Sequence, residues 1–137
     1  MLVVRRAVVG PFAANAYLAA CDRTGETVII DPGGDTSRVL GMCEPGGFRV
    51  ARIFCTHGHP DHVGGTAEAK ARTGAPVSLH AADEPWIEEF PKIAALHGLE
   101  PIDDVRFHAG HGAGGLVGDE RRLNPFAGEP ARRGRFP

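Results

Sequence analysis

Six residues near the middle of the chain, from His57 to His62, constrain the fold more than any other stretch. They read His-Gly-His-Pro-Asp-His and follow, after Thr56, an apolar, strand-like run at residues 53–55. Residues two apart in an extended segment point to the same side, so His57 and His59 can bind one metal ion. Asp61 and His62 lie where a helix is expected to begin, and they suit a second ion beside the first. The fold must therefore place a buried strand, a ligand loop and a helix in succession.

Chance is a poor explanation for the presence of this motif. With 7 histidines and 8 aspartates in 137 residues, about one match in a thousand such chains is expected by chance. Taken singly, Asp61 would more often be a helix N-cap and a histidine an ordinary surface or core side chain. The cluster as a whole predicts a metal site.

Composition predicts a single domain spanning residues 1–137. The chain is 42% hydrophobic and 23% charged, with a formal net charge of −2, which matches average globular usage. No nucleic-acid or membrane partner is expected, because the chain has neither a long basic run nor an apolar run of membrane-spanning length. Three cysteines without a C-x-x-C pair favour buried thiols, and the first residues lack a signal-peptide pattern, so a cytoplasmic location is expected.

The hydrophobic pattern predicts an α/β fold in which strands and helices alternate after the first three strands. Proline and glycine clusters set most of the predicted boundaries. Strands are expected at residues 2–9, 16–21, 27–31, 50–55 and 77–79, and helices at 36–43, 62–73 and 83–97, with residues from 109 onward left as loop. The helix at 83–97 is expected despite Pro85 and Pro91, which should interrupt it. In such βα arrangements, sites collect at the carboxyl ends of the strands.

Several stretches in the first hundred residues carry a family resemblance. Residues 10–12 (Gly-Pro-Phe), 15–18 (Asn-Ala-Tyr-Leu), 28–34 (Val-Ile-Ile-Asp-Pro-Gly-Gly) and 56–65 stand in a recognisable order and spacing. They resemble the metallo-β-lactamase superfamily, and most closely its glyoxalase II-like branch, the hydroxyacylglutathione hydrolases. The resemblance implies part of a layered αββα sandwich. It also implies two zinc ions, with iron or manganese as alternatives, the first bound by the histidine pair and the second by the Asp-His pair.

A second stretch of resemblance lies near the C-terminus. Ala109-Gly-His-Gly, Gly118-Asp-Glu and Asn124-Pro-Phe are similar to the closing signature of the family, with alanine in place of the usual proline. The resemblance makes His111 the third protein ligand of the second ion. The site residues that it implies are His57, His59, Asp61, His62 and His111 as metal ligands, with His59 and Asp61 also catalytic.

Between the two stretches, this chain departs from the family pattern. Complete members carry a further histidine for the first ion and an aspartate that bridges both, and neither is recognisable here. An internal deletion in the second half is the simplest account. In a competing alignment, His111 belongs to the first ion and Asp119 is the bridge; the Asp103-Asp104 pair is another substitute bridge.

The resemblance implies a metal-dependent hydrolase in which a metal-bound hydroxide attacks a thioester or related small ester of the hydroxyacylglutathione type. A catalytically impaired metal-binding remnant or accessory module is the alternative, and an iron-dependent sulfur dioxygenase is a third. Because a shortened second half would leave apolar sheet surface uncovered around Val28, Ile30, Ile53 and Val77, the isolated chain is expected to be a homodimer, a partner-bound subunit or poorly folded.

The remaining polar residues carry weaker signals. Asp31 precedes Pro32-Gly33 and fits equally a turn residue at a strand end and a group close to the metals. No motif supports a role for His80, Asp83, Glu88, Glu89, His97 or His108, which are expected to be solvated polar residues.

Overall fold

The computed structural model describes residues 1–102 and 105–108, and for 106–108 the backbone alone. Its six strands are β1 (Leu2–Val9), β2 (Ala14–Cys21), β3 (Glu26–Ile30), β4 (Arg49–Phe54), β5 (Val77–His80) and β6 (Val105–His108). They form one sheet in the order β1-β2-β3-β4-β5-β6. The short connections after β1 and β2 are hairpins and give antiparallel pairs, whereas β3 to β6 are joined by longer crossovers and run parallel.

Four helices provide most of these crossovers. They are α1 (Thr36–Gly41), α2 (Pro60–Val63), α3 (Thr66–Thr73) and α4 (Glu84–His97), and single 3₁₀ turns occupy Glu44–Gly46 and Ala81–Asp83. Within the part of the chain that the structure describes, no helix is both long and apolar enough to cross a membrane.

The helices pack against one face of the sheet. A row of side chains runs across that face, because Leu18 pairs with Ile29, Ile29 with Ile53, and Ile53 with Val77. Helix residues complete this core from above: Val39, Val63, Ala69, Phe90 and Ala94. Burying this apolar surface is the main source of stability that the architecture offers.

The opposite face of the sheet carries apolar side chains beside polar ones such as Arg6, and it is partly open at the β1 and β2 edge. Leu2 and Val4 are 67% and 59% exposed, and the strand register places them on the same face as the half-buried Val28 and Ile30. The prediction that Ile53 and Val77 share this uncovered surface was wrong. Both are fully buried, because the alternation of strand residues directs them to the helix-covered face.

The predicted α/β class and five of the strands are confirmed, with differences at specific elements. The single helix expected at 62–73 is two helices, α2 and α3, separated at Gly64 and Gly65. The helix expected at 83–97 is continuous through Pro91, while β6 was not predicted. The prediction of one domain over residues 1–137 extends beyond the described residues and stays a prediction.

Candidate metal centre

The His57–His62 loop lies at the carboxyl end of β4, beside the end of the parallel strand β3. Backbone hydrogen bonds continue just past the strand ends, from Asp31 N–H to the Phe54 carbonyl at 2.8 Å and from Cys55 N–H to the Ser78 carbonyl at 3.0 Å. The chain then turns, and α2 begins at Pro60 with His59 as its N-cap. This is the edge of a parallel sheet at which functional side chains collect.

Three imidazoles of the motif cluster at this edge. The ring centroid of His57 lies 4.6 Å from that of His59 and 4.1 Å from that of His62. Asp61 contributes its carboxylate to the same cluster, with Oδ2 3.3 Å from His62 Nε2. The structure thus brings together the four motif residues that the sequence singled out.

Asp31 supports the cluster from below and is nearly inaccessible to solvent, at 5% exposure. Its Oδ1 accepts a hydrogen bond from the Thr56 backbone N–H at 2.6 Å, and its Oδ2 accepts one from the Thr56 hydroxyl at 2.7 Å. His62 Nδ1 lies 3.1 Å from the same Oδ2. Of the two roles considered for Asp31, the contacts favour the one beside the site.

These contacts determine which imidazole nitrogens face the cluster. The Thr56 hydroxyl donates its one hydrogen to Asp31, so it accepts from His57 Nδ1, which lies 3.0 Å away. His62 Nδ1 donates to Asp31 in the same way. In the neutral form of both rings, Nε2 then carries the lone pair, and neutral imidazole is the form of histidine that binds metals.

The donor set fits a divalent metal of the zinc or iron type. Imidazole and carboxylate are the ligands that these ions share. Two atoms bound at about 2.1 Å to one tetrahedral ion are about 3.4 Å apart, close to the 3.3 Å between His62 Nε2 and Asp61 Oδ2. Within residues 1–102 and 105–108, no three His, Cys, Asp or Glu side chains converge on one point. His111, Asp119 and the Asp103-Asp104 pair lie outside the described residues, so their predicted roles stay predictions.

Glycines allow the ligand loop to approach the end of β3. A methyl group built on Gly33 would lie 1.6 Å from the Asp61 carbonyl oxygen, and one on Gly65 would lie 2.5 Å from the Pro32 carbonyl oxygen. A methyl group on Gly64 would lie 2.9 Å from the Gly33 carbonyl oxygen. Close packing of backbone segments therefore explains the Gly64-Gly65 pair.

A cavity of about 360 Å³ opens next to Asp61. Its wall combines the β1–β2 hairpin, the start of α2 and the residues around the end of α4, and it is mostly apolar. The lining residues are Pro11, Phe12, Gly33, Pro60, Asp61, His97 and Leu99. The cavity gives a small apolar group access to the motif.

Most of the weaker candidates have ordinary roles. His80 Nδ1 accepts a hydrogen bond from Ala82 N–H in a helical turn, and Glu89 pairs with Lys92 on the surface. Glu88 is exposed, and the side chain of His108 lies outside the described residues. Asp83 is different, because its carboxylate contacts the ligand loop. Sequence reasoning missed it, since no motif links residue 83 to the loop.

The cysteines are free, as expected from their number and spacing. Cys43 and Cys55 are buried and Cys21 is partly exposed. Burial raises the pKa of the Cys55 thiol to about 12. This thiol lies on the core side of the strand end rather than among the imidazoles, in contact with Thr66.

Comparison with known proteins agrees with this geometry. A Bacillus subtilis protein named "Probable metallo-hydrolase YqgX" is 31% identical over 123 residues, which are 89% of this chain and 56% of the relative. A hydroxyacylglutathione hydrolase from a Polaromonas species is 41% identical over 64 residues, 47% of this chain and 24% of the enzyme. Among solved structures, TTHA1623 in a di-iron-bound form superimposes with a TM-score of 0.61 at 30% identity, covering 82% of this chain and 55% of that one.

The chain thus spans about half the length of two of these relatives and a quarter of the third. The family model described as the metallo-beta-lactamase superfamily matches residues 9–127. This match confirms the resemblance inferred from the motif and the partial sandwich that it implied. The chain belongs to the metallo-beta-lactamase superfamily.

Proposed function

We propose that this chain is a metal-dependent hydrolase whose centre is built on the His57–His62 loop. The observation that carries the proposal is the network beneath the loop, in which Asp31 and Thr56 turn the Nε2 atoms of His57 and His62 toward the cluster. A histidine that merely faced solvent would not need a buried carboxylate to fix its ring.

His57 and His59 would hold one ion, and Asp61 and His62 a second ion, with His111 as a further ligand. When bound, two such ions would make a water molecule nucleophilic near neutral pH and polarise a carbonyl group. Asp31 keeps the His62 ring in place, and Asp119 or the Asp103-Asp104 pair are the candidates for a bridging carboxylate. Zinc is the first metal to test; the likeness to a di-iron-bound protein supports iron as the second.

A thioester is the proposed substrate class. Two features support it: the likeness of the N-terminal half to hydroxyacylglutathione hydrolases and the apolar cavity that ends at Asp61. Phe12 and Leu99 would contact the acyl or thiol portion. We expect slow turnover of S-lactoylglutathione, because an ill-placed bridging group shifts the two ions, and misplacement by about 1 Å can cost a hundredfold in rate.

A metal-binding module without turnover is the second candidate. It is favoured by the finding that, over residues 1–102 and 105–108, no three candidate donors converge on one point. A partly assembled site would still bind an ion through His57 and His59, or through Asp61 and His62. Its affinity would be lower than that of a complete centre, because each missing ligand removes a metal bond.

The two candidates differ in metal content and in turnover. After loading with zinc, iron or manganese, His57→Ala and Asp61→Ala should each bind less metal per chain, whereas His97→Ala should bind as much as the unsubstituted protein. His97 is a matched control because it lines the same cavity without belonging to the cluster. Equal metal content in all three variants would disprove the site.

Turnover then separates hydrolase from binding module. Thioester cleavage that is lost in His59→Ala and retained in Glu88→Ala, which changes an exposed carboxylate outside the cavity lining, would support the hydrolase. Metal binding without cleavage of thioesters or simple esters would support the module instead. Oxygen consumption by an iron-loaded sample would indicate the dioxygenase chemistry found elsewhere in the family.

A further inference from the structure

Asp83 stands immediately before α4, at the position where an aspartate normally caps its own helix. Here its side chain makes no capping hydrogen bond to α4. Its Oδ1 accepts a hydrogen bond from the Gly58 backbone N–H at 3.1 Å instead. The helix therefore lacks a side-chain cap, and the carboxylate instead contacts the loop that carries His57 and His59.

Trp86, one turn along the same helix, contacts the same loop. Its ring lies 4.7 Å from the His59 ring at an interplanar angle of 78°, which is the edge-to-face arrangement that aromatic pairs prefer. A methyl group on Gly58 would lie 2.6 Å from Trp86 Cβ. Only glycine lets the helix approach the loop this closely.

Gly58 separates the two histidines and is the most flexible residue type, so rotation about its backbone would move one imidazole away from the other. The Asp83 hydrogen bond restrains its N–H, and the Trp86 side chain blocks one side of its α-carbon. The His59 ring is held at the same time, although it remains exposed to solvent. Restraining a ligand loop before binding reduces the entropy that metal binding must offset.

We propose that Asp83 and Trp86 are positioning residues that hold the His57-Gly58-His59 loop ready to bind its metal ion. This inference rests on the proposed function, since it concerns the same loop. It adds two residues from α4, outside the motif, to the determinants of metal affinity. Groups that orient metal ligands typically contribute 10- to 100-fold to affinity.

The test compares zinc affinities measured by competition with a chromophoric chelator. Asp83→Ala should bind zinc 10- to 100-fold more weakly than the unsubstituted chain. Asp83→Asn should recover most of the loss, because its amide oxygen can still accept from Gly58 N–H. Glu88→Ala is the matched control, since it removes an exposed carboxylate from the same helix. Equal losses in Asp83→Ala and Glu88→Ala would overturn the proposal.

Trp86 supplies a second measurement, because it is the only tryptophan in the chain. Zinc binding at His59 should change its fluorescence in the unsubstituted protein, and the change should be smaller at saturation in Asp83→Ala. Trp86→Phe, which keeps an aromatic edge near His59, should bind zinc more tightly than Trp86→Ala. If these two variants bind zinc equally well, the proposed role of Trp86 is wrong.

A measurement without metal separates this inference from the function on which it rests. Hydrogen exchange of the Gly58 amide should be slow in the unsubstituted chain and in Asp83→Asn, and faster in Asp83→Ala, under conditions where each variant is folded. Unchanged exchange would contradict the restraint itself. A third outcome is that exchange changes as expected but the chain binds no zinc. The restraint then exists, but the proposed metal function and the proposed role of Asp83 in metal affinity are both wrong.

Discussion

Asp31 is a single buried side chain that contacts both the start of the ligand loop and a histidine of the cluster. Its backbone lies in the left-handed region at φ 52°, which aspartate tolerates better than most residues. From there its two carboxylate oxygens reach Thr56 and His62 at once. The sequence left its role open, because a strand-end aspartate before Pro-Gly has the same local pattern whether or not a histidine later folds onto it.

Removal of this carboxylate should destabilise the fold as well as the site. Asp31→Ala removes the buried carboxylate that accepts hydrogen bonds from the Thr56 N–H and hydroxyl, and a hydrogen bond to a charged group contributes about 1.5–3 kcal/mol. We expect a loss of about 2–4 kcal/mol in the free energy of unfolding by urea. Asp22→Ala, at an exposed turn, should cost less than about 1 kcal/mol. Equal urea midpoints for the two variants would contradict the role assigned to Asp31.

The three thiols should differ in reactivity. Hydrogen bonds from Thr24 lower the pKa of Cys21, whereas burial raises that of Cys43 and takes that of Cys55 to about 12. Since the thiolate is the reactive form, iodoacetamide at pH 8 should label Cys21 first and Cys55 last, as read by peptide mass spectrometry. In urea all three should react at similar rates. Early labelling of Cys55 in the folded protein would be inconsistent with its burial.

At the scale of elements, Gly33 determines how the end of β3 meets the start of α2. Gly33→Ala places a methyl group against the Asp61 carbonyl, and because backbone cannot move aside as a side chain can, we expect a loss of at least about 3 kcal/mol. Gly41→Ala is the control, since a methyl group there meets nothing within 4 Å and alanine favours helix. Thermal melting should show a large decrease for the first variant and little change or an increase for the second.

Much of this arrangement could be predicted from sequence, and the failures have identifiable causes. Alternating and apolar runs predicted β1 to β5, and the motif predicted the cluster. The break between α2 and α3 was missed because Gly64-Gly65 acts through contacts with Pro32 and Gly33, which are distant in sequence. Pro91 was expected to interrupt α4, yet it lies on the exposed side of the helix, where the packing of Phe90 and Ala94 outweighs one lost hydrogen bond.

At the scale of the whole molecule, the helices cover one face of the sheet and leave apolar side chains of β1 and β2 exposed on the other. Leu2, Val4, Val8 and Tyr17 form this open edge. The two exposed strands have eight residues each, so they are about 26 Å long and together about 10 Å wide, a projected area of about 260 Å². A standard interface buries about 800 Å² per partner, which indicates a weak association.

We therefore expect a second copy to cover this face in a concentration-dependent homodimer. Sedimentation velocity should show an increasing fraction of dimer as the protein concentration rises. Val4→Lys should shift the equilibrium back to monomer. Leu96→Lys replaces an even more exposed apolar residue on α4 and should leave the dimer intact. A cooperatively melting monomer at every concentration would rule out self-association.

The described motif residues and the groups that support them occupy one uninterrupted stretch, from Asp31 below the cluster to Trp86 beside it. Recombination or insertion on either side would exchange the surroundings of the centre, including the cavity residues Phe12 and Leu99, without separating the motif from its supports. New substrate preferences would thus arise from changes on either side of this stretch while the motif and its supports are kept.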